Sequence, residues 1–278
     1  MFPQQGEAQP TRGLGSGFII SEDGLIVTNN HVVEDADTVT VKLSDEREFE
    51  ATVLGTDPLT DIALIKIEAD VALPTVPWGD SATVRPGDEA LAIGNPFGLG
   101  GTVTTGIISA AGRDIGAGPY DNFLQIDAPI NRGNSGGPAF NLKGEVVGIN
   151  TAIFSPSGGS VGIGFAIPAS TAESIIADLK DDGNVTRGWL GVQIQPVSED
   201  IASSIGLDKP TGTLIAAVTE GSPAEQSGLR TGDTILKVDG AVVEGPKELS
   251  REVARLKPGT AVEMTVSRGG KERKVKVS

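Results

Sequence analysis

Three short segments hold the side chains that could do chemistry together. Thr28-Asn29-Asn30-His31-Val32-Val33 carries the only histidine of a 278-residue chain. Thr60-Asp61-Ile62-Ala63-Leu64 carries a carboxylate at the head of an apolar run, and Gly133-Asn134-Ser135-Gly136-Gly137 carries a hydroxyl within a glycine-rich turn. A serine hydroxyl is a weak nucleophile until a neighbouring base takes its proton, and imidazole is the base that titrates near neutral pH. A carboxylate behind the imidazole fixes its tautomer and stabilises the imidazolium. Acyl transfer also needs backbone N–H donors aimed at the developing oxyanion. The turn is predicted to supply them from Gly133 and Ser135, with Asn134 between, because glycine lets the amides of a tight turn converge. His31, Asp61 and Ser135 are thus the predicted base, orienting acid and nucleophile. Asp57 is a competing acid, but Pro58 after it marks a turn residue.

The elements that must position these groups read as short strands from about residue 13 to 168. Gly17-Phe18-Ile19-Ile20 and Leu25-Ile26-Val27-Thr28 flank the turn Glu22-Asp23-Gly24, a hairpin pattern. Val39 to Leu43 alternates with period two, and apolar runs follow at 62–67, 89–94, 106–109, 123–126, 144–150 and 162–167. Many short strands at near-regular spacing predict a barrel or sandwich. A helix is predicted over 168–180, with apolar residues at 172, 175, 176 and 179 on one face. Asp181-Asp182-Gly183-Asn184 stops it. The pattern then changes: a loop enters a strand at 188–194, a short helix is predicted at 222–229 and a helix at 246–256, a strand and turn at 234–240, and strands at 262–267 and 273–277. The expected domains are a flexible segment 1–12, a β domain 13–182, a linker 183–187 and a second domain 188–278.

Composition excludes several classes. The net charge is −15, and residues 188–278 hold 12 basic and 12 acidic side chains, so the whole imbalance sits on residues 1–187. Phosphate contacts need a basic surface, so no nucleic-acid partner is expected. No run of 18 apolar residues occurs, so no integral membrane segment is expected. Cysteine is absent, and one histidine leaves only scattered carboxylates, so no metal site is expected. No phosphate-binding loop is present and no cofactor is expected. The polar start Met1-Phe2-Pro3-Gln4-Gln5-Gly6 reads as an unstructured beginning or as a chain trimmed of a native leader.

The order His, Asp, Ser is that of chymotrypsin-type proteases. Gly15-Ser16-Gly17-Phe18-Ile19-Ile20, Thr28 to Val33, Asp61 to Lys66, Gly94-Asn95-Pro96-Phe97-Gly98, Thr104 to Ser109 and Gly133 to Pro138 resemble the HtrA/Deg family of serine proteases. The resemblance implies a mostly β chain: a chymotrypsin-like double β-barrel protease domain followed by an α+β PDZ domain. It implies an ATP-independent endopeptidase of the bacterial periplasm that degrades unfolded or misfolded envelope proteins. It also implies homotrimers or multiples of trimers where the native N-terminus is present. The alternative is a gated chaperone or peptide sensor in which proteolysis is minor. In the chymotrypsin-type arrangement the position six before the nucleophile lies at the base of the S1 pocket. Here that is Pro129, beside Ile130, and Ala152-Ile153-Phe154-Ser155-Pro156 is expected to form a wall. No acid there awaits a basic side chain, so cleavage after small or medium aliphatic residues is expected; Asp127 is the residue that could mislead. Loops 112–122 and 154–162 are expected to set active and inactive states, with Arg113 and Arg132 helping to order them.

Trp189-Leu190-Gly191-Val192 resembles the carboxylate-binding loop of PDZ domains. Its amides would hold a C-terminal carboxylate while the following strand, through Gln193 and Ile194, accepts a C-terminal peptide as an added strand. Leu190, Val192 and Ile194 are expected to line the groove with Leu249, Val253 and Leu256 of the second helix.

Overall fold

Register, more than local pattern, brings the three segments together. The computed structural model describes residues 13–278, and the expected flexible segment 1–12 lies outside them. The chain divides into two units. One comprises residues 13–114 together with Asn122–Asn184, and the other comprises Ile115–Asp121 with Val185–Ser278.

In the first unit, β1 (Phe18–Ile19) and β2 (Leu25–Thr28) form the expected hairpin, with Gly24 at φ +99°. A single helical turn, α1 (Asn30–Val33), follows β2. Strands β3 (Val39–Lys42), β4 (Glu48–Asp57) and β5 (Ile62–Ile67) complete an antiparallel sheet in the order β1-β2-β5-β4-β3. β4 has no counterpart in the sequence reading. Its first half alternates charged and apolar residues, and pairing along β5 and β3 makes it a strand. Ile62, Leu64 and Ile67 of β5 are wholly buried. Each contributes about 1.5–3 kcal/mol by leaving water.

The second lobe is a closed barrel. Strands β6 (Glu89–Gly94), β7 (Thr102–Arg113), β8 (Phe123–Ile126), β9 (Pro138–Phe140), β10 (Val146–Ile153) and β11 (Gly164–Pro168) run in the order β10-β11-β8-β7-β6-β9. The first lobe remains a sheet whose edges β1 and β3 do not pair, β1 being two residues long. Helix α2 (Ala169–Asp182) buries Ala172, Ile175, Ile176 and Leu179, the face that the spacing predicts, against β4, β5, β10 and β11. Gly183 ends it in the left-handed conformation, where glycine has no side chain to strain.

The second unit is one antiparallel sheet: β12 (Val192–Pro196), β13 (Thr213–Val218), β14 (Thr234–Val238), β16 (Val262–Arg268) and β17 (Lys271–Val277), in that order, with β15 (Ala241–Val242) on β14. Helices α3 (Glu199–Ile205), α4 (Pro223–Gln226) and α5 (Pro246–Ala254) complete it. The core gathers around Ile215, Ile235, Leu249, Met264 and Val266. α3 and β13 are absent from the sequence reading. Segment 115–121, expected in the first domain, belongs to this unit because an Arg251 guanidinium N–H donates to the Asp121 carbonyl (2.8 Å) and the Arg187 guanidinium lies 4.9 Å from the Tyr120 ring centre.

Candidate active site

β2 and β5 are adjacent, with Thr28 opposite Ala63, so the residues after β2 meet those before β5. Asp61 precedes β5 at φ +58°, an unusual conformation for a non-glycine residue. Two donors hold its carbonyl: the Asn29 side chain (2.8 Å) and the Asn30 N–H (3.2 Å). The carboxylate is then fixed from three sides. Its Oδ1 accepts the His31 backbone N–H (3.0 Å), and its Oδ2 accepts the Thr151 hydroxyl from β10. His31 Nδ1 lies 2.8 Å from Oδ2 and 3.0 Å from Oδ1. The hydrogen bond to Asp61 raises the His31 pKa above its ordinary value; partial burial opposes this, and the charges of Asp61 and Glu34 add to it. The competing Asp57 is buried and accepts the Thr60 hydroxyl in its own turn. Asp127 accepts the Ile107 N–H (2.6 Å).

Ser135 sits beside the same Thr151. Its hydroxyl donates to the Thr151 carbonyl at 3.3 Å, and the described residues show no hydrogen bond between it and His31.

The turn around Ser135 is pinned plane by plane. The Arg132 carbonyl accepts the Phe97 N–H (2.9 Å), and the Gly133 carbonyl accepts the Ser16 hydroxyl (2.7 Å). The Asn134 N–H donates to the Asn131 carbonyl and the Gly137 N–H to the Asn134 carbonyl, both at 3.0 Å. The Ser135 carbonyl accepts the Ser16 N–H, and the Gly136 N–H donates to the Asn150 carbonyl, both at 2.8 Å. A trans peptide points its C=O and N–H in opposite directions. Fixing the Arg132 and Asn134 carbonyls therefore aims the Gly133 and Ser135 N–H groups the other way, where neither meets an acceptor among the described residues. The Asn134 N–H is used inside the turn and its side chain is buried, so Asn134 frames the turn and is no donor into the open space. Gly133 has φ +102°, and a Cβ there would lie 2.3 Å from the Asn95 carbonyl oxygen.

The predicted wall is only partly a surface. Ile130 is buried in the barrel core, where packing rather than substrate contact uses it. Ile153 packs against that core, and Ala152 is half-buried. Pro129 and Pro156 are exposed, and so is Phe154 at 62 %. The Ser155 hydroxyl donates to the Gly159 carbonyl and shapes its own loop. Arg113 donates to the Gln125 side chain (2.9 Å).

In the second unit β12 is an edge strand with α5 beside it. Gly191 stands at φ +77°, and a Cβ there would lie 2.2 Å from Ser222 Cβ, so glycine is required. The Leu190 and Gly191 N–H groups meet no acceptor among the described residues. Trp189, Leu190, Val253 and Leu256 line a cleft floored by Met264 and Val277. Val192 and Ile194 are half-buried against the core and Gln193 is exposed. Leu249, expected in the groove, is in the core instead: at 1 % exposure its side chain holds α5 to the sheet. Sequence reasoning missed Thr151 as the hydroxyl donor to Asp61, and Ser16 and Phe97 as the braces of the turn. Two of these act through backbone atoms, which residue type does not reveal.

A family model described as a trypsin-like peptidase domain matches residues 15–149, and one described as a PDZ domain matches residues 188–278. The chain is 55 % identical over 277 residues to a probable periplasmic serine endoprotease, DegP-like, of Brucella suis biovar 1 (strain 1330), covering 99 % of this chain and 54 % of that protein. It is 55 % identical over 271 residues to the protein of the same name in Rhizobium meliloti (strain 1021), covering 98 % and 54 %. Among solved structures, the HtrA-type protease AlgW with a tripeptide superposes with a TM-score of 0.86 at 44 % identity, covering 96 % of this chain and 88 % of that one. The barrel, its companion sheet and the β12 edge therefore define a trypsin-like peptidase fold joined to a PDZ domain. The chain belongs to the HtrA-type proteases. It spans about half the length of the curated relatives it matches.

Proposed function

We propose that the chain is an ATP-independent serine endopeptidase of the bacterial periplasm, with a PDZ domain that takes exposed C-termini of misfolded envelope proteins. One observation carries this reading: a carboxylate–imidazole pair stands beside a serine whose turn leaves two N–H groups without acceptors. In this mechanism the Ser135 hydroxyl leaves the Thr151 carbonyl and turns to His31 Nε2. His31 takes its proton as the oxygen attacks a peptide carbonyl, and Asp61 stabilises the imidazolium. The Gly133 and Ser135 N–H groups bind the oxyanion, each worth about 3–4 kcal/mol when lost. His31 then protonates the leaving amine, and water hydrolyses the acyl-enzyme by the same route. Pro129 at the base of the pocket, with Ala152, Ile153 and Phe154 at its side, favours small or medium aliphatic residues before the cut. In the PDZ domain, the Leu190 and Gly191 amides hold the terminal carboxylate and β12 pairs with the peptide.

Two further parts of the reading have their own support. Leu14, Phe97, Leu99 and Val103 are exposed on the surface of the first unit, Leu99 at 83 %, and a Cβ on Gly98 would touch Leu14, so three of them adjoin. Such an apolar patch suits a homotrimer. The resting bond from Ser135 to the Thr151 carbonyl favours gated proteolysis, the chaperone or sensor alternative.

Casein degradation by the wild type and its loss in Ser135→Ala tests the enzyme; turnover by Ser135→Ala would refute it. Suppression of client aggregation by Ser135→Ala would establish the chaperone role as well. Molar mass by light scattering tests the trimer, and a monomer at working concentration would refute it.

A further inference from the structure

Among the described residues Ser16 makes no hydrogen bond to His31 or Asp61, yet it braces the turn that carries Ser135. Its hydroxyl donates to the Gly133 carbonyl at 2.7 Å and accepts the Asn95 N–H at 2.9 Å. Its N–H donates to the Ser135 carbonyl at 2.8 Å. Its own carbonyl accepts the Thr28 hydroxyl at 2.7 Å, which ties it to the end of β2, three residues before His31. The space is tight: a Cβ on Gly136 would lie 2.2 Å from the Ser16 oxygen and 2.3 Å from the Thr28 hydroxyl. Ser16 thus grips the peptide carbonyls at 133 and 135, one with its side chain and one with its backbone. Through Asn95 it also meets the segment whose Phe97 N–H holds the Arg132 carbonyl.

We infer that Ser16 is a positioning residue for the oxyanion site: its hydroxyl fixes the 133–134 peptide, which lies between the planes that carry the N–H groups at 133 and 135, so that both stay aimed at the developing charge. The inference rests on the proposed role of Ser135. A glycine at φ +102° has a permissive backbone, and without the hydroxyl the Gly133 carbonyl keeps only the longer bond from the Asn95 N–H (3.4 Å). Rotation of that plane turns its two neighbours, which carry the donors, away from a charge that exists only in the transition state, so kcat suffers more than KM. The backbone bond from the Ser16 N–H survives substitution by alanine, threonine or cysteine, so the turn loses one of two grips and not its fold.

The test uses the full chain and a fluorogenic peptide. Ser16→Ala is expected to lower kcat by about 10- to 100-fold with KM within about twofold. The acidic limb of the pH profile stays in place, because the His31–Asp61 pair is untouched. Affinity for a peptide boronate, whose tetrahedral adduct places an oxygen at the oxyanion site, falls in step with kcat. Ser16→Thr, which keeps the hydroxyl, recovers kcat to within about threefold of the wild type. Ser16→Cys, close in size but a weak hydrogen-bond donor, behaves as Ser16→Ala does and carries the test if the alanine variant does not fold. A wild-type kcat in Ser16→Ala or Ser16→Cys overturns the inference, as does a kcat loss accompanied by a shifted acidic limb, or a Ser16→Thr no better than alanine. Ser135→Ala is measured alongside. If it turns over substrate, the reading of the nucleophile fails; if it is inert while Ser16→Ala is normal, only the brace fails.

Discussion

Replacing Asp61 by Asn probes the geometry atom by atom. In the wild type, Oδ1 accepts the His31 backbone N–H, while Oδ2 lies 2.8 Å from Nδ1 and accepts the Thr151 hydroxyl. An asparagine keeps its oxygen toward the backbone N–H, which can only donate, so its NH2 group takes the Oδ2 place. The Thr151 hydroxyl reverses and accepts. Nδ1 of His31 then faces a donor and must itself accept, which moves the ring proton to Nε2, the atom that has to receive the proton of Ser135. The expected loss in kcat is about 10⁴-fold, or about 5.4 kcal/mol of transition-state stabilisation. The pH dependence moves too. The Asp61 hydrogen bond is the largest cause of the raised His31 pKa, and the base must be neutral to act, so the wild-type acidic limb lies above the ordinary imidazole value. Asp61→Asn brings the limb down in pH. Stability follows the same sign. A raised folded-state pKa stabilises the fold fully below the unfolded imidazole pKa, and that stabilisation is lost as pH rises through the folded value. The Tm gap between wild type and variant is therefore widest in mild acid and narrows above neutrality. The assays are kcat/KM from about pH 5 to about pH 9, thermal melts over the same range, and an NMR titration of the single imidazole. A variant within about tenfold of wild-type kcat, or a limb that does not move down, refutes the tautomer argument.

Two further outcomes concern the PDZ domain. Gly191→Ala forces a Cβ to within 2.2 Å of Ser222 Cβ at φ +77°, so affinity for a C-terminal peptide, read by fluorescence anisotropy, should fall at least about tenfold. Unchanged affinity would count against the carboxylate loop. Asp233 is 1 % exposed and takes both Nε and a terminal nitrogen of Arg268 at 2.6 Å, which raises the Arg268 pKa; Arg268→Ala leaves that carboxylate buried without its cation and should destabilise the PDZ domain by about 3 kcal/mol in urea unfolding, with an undisturbed unfolding midpoint as the contrary result.

Much of the fold was legible because local pattern and tertiary role agree. The hairpin around Gly24 and the α2 stripe Ala172, Ile175, Ile176, Leu179 follow from turn chemistry and periodicity alone. β4 and β13 were not, since strands such as these are defined by their partners: β4 is held between β3 and β5, and β13 between β12 and β14. The groove residues show the same division. Periodicity puts Leu249 and Val253 on one face of α5, but only packing makes Leu249 core and leaves Val253 at the cleft.

Residue types and order alone determined which chemistry this chain could attempt: one imidazole, one carboxylate at a strand head and one hydroxyl in a glycine turn. Tertiary structure decided how those groups stand. Asp61 meets His31 because β2 and β5 are in register, and Ser135 rests on Thr151 rather than on His31 because β10 places a carbonyl there. The turn keeps two amides open because the N–H groups of Phe97, far away in sequence, and of Gly137 hold the Arg132 and Asn134 carbonyls, while Ser16 braces the planes between and after them. Backbone hydrogen bonds carry that information, and every residue type has the same backbone, so no motif could have announced them.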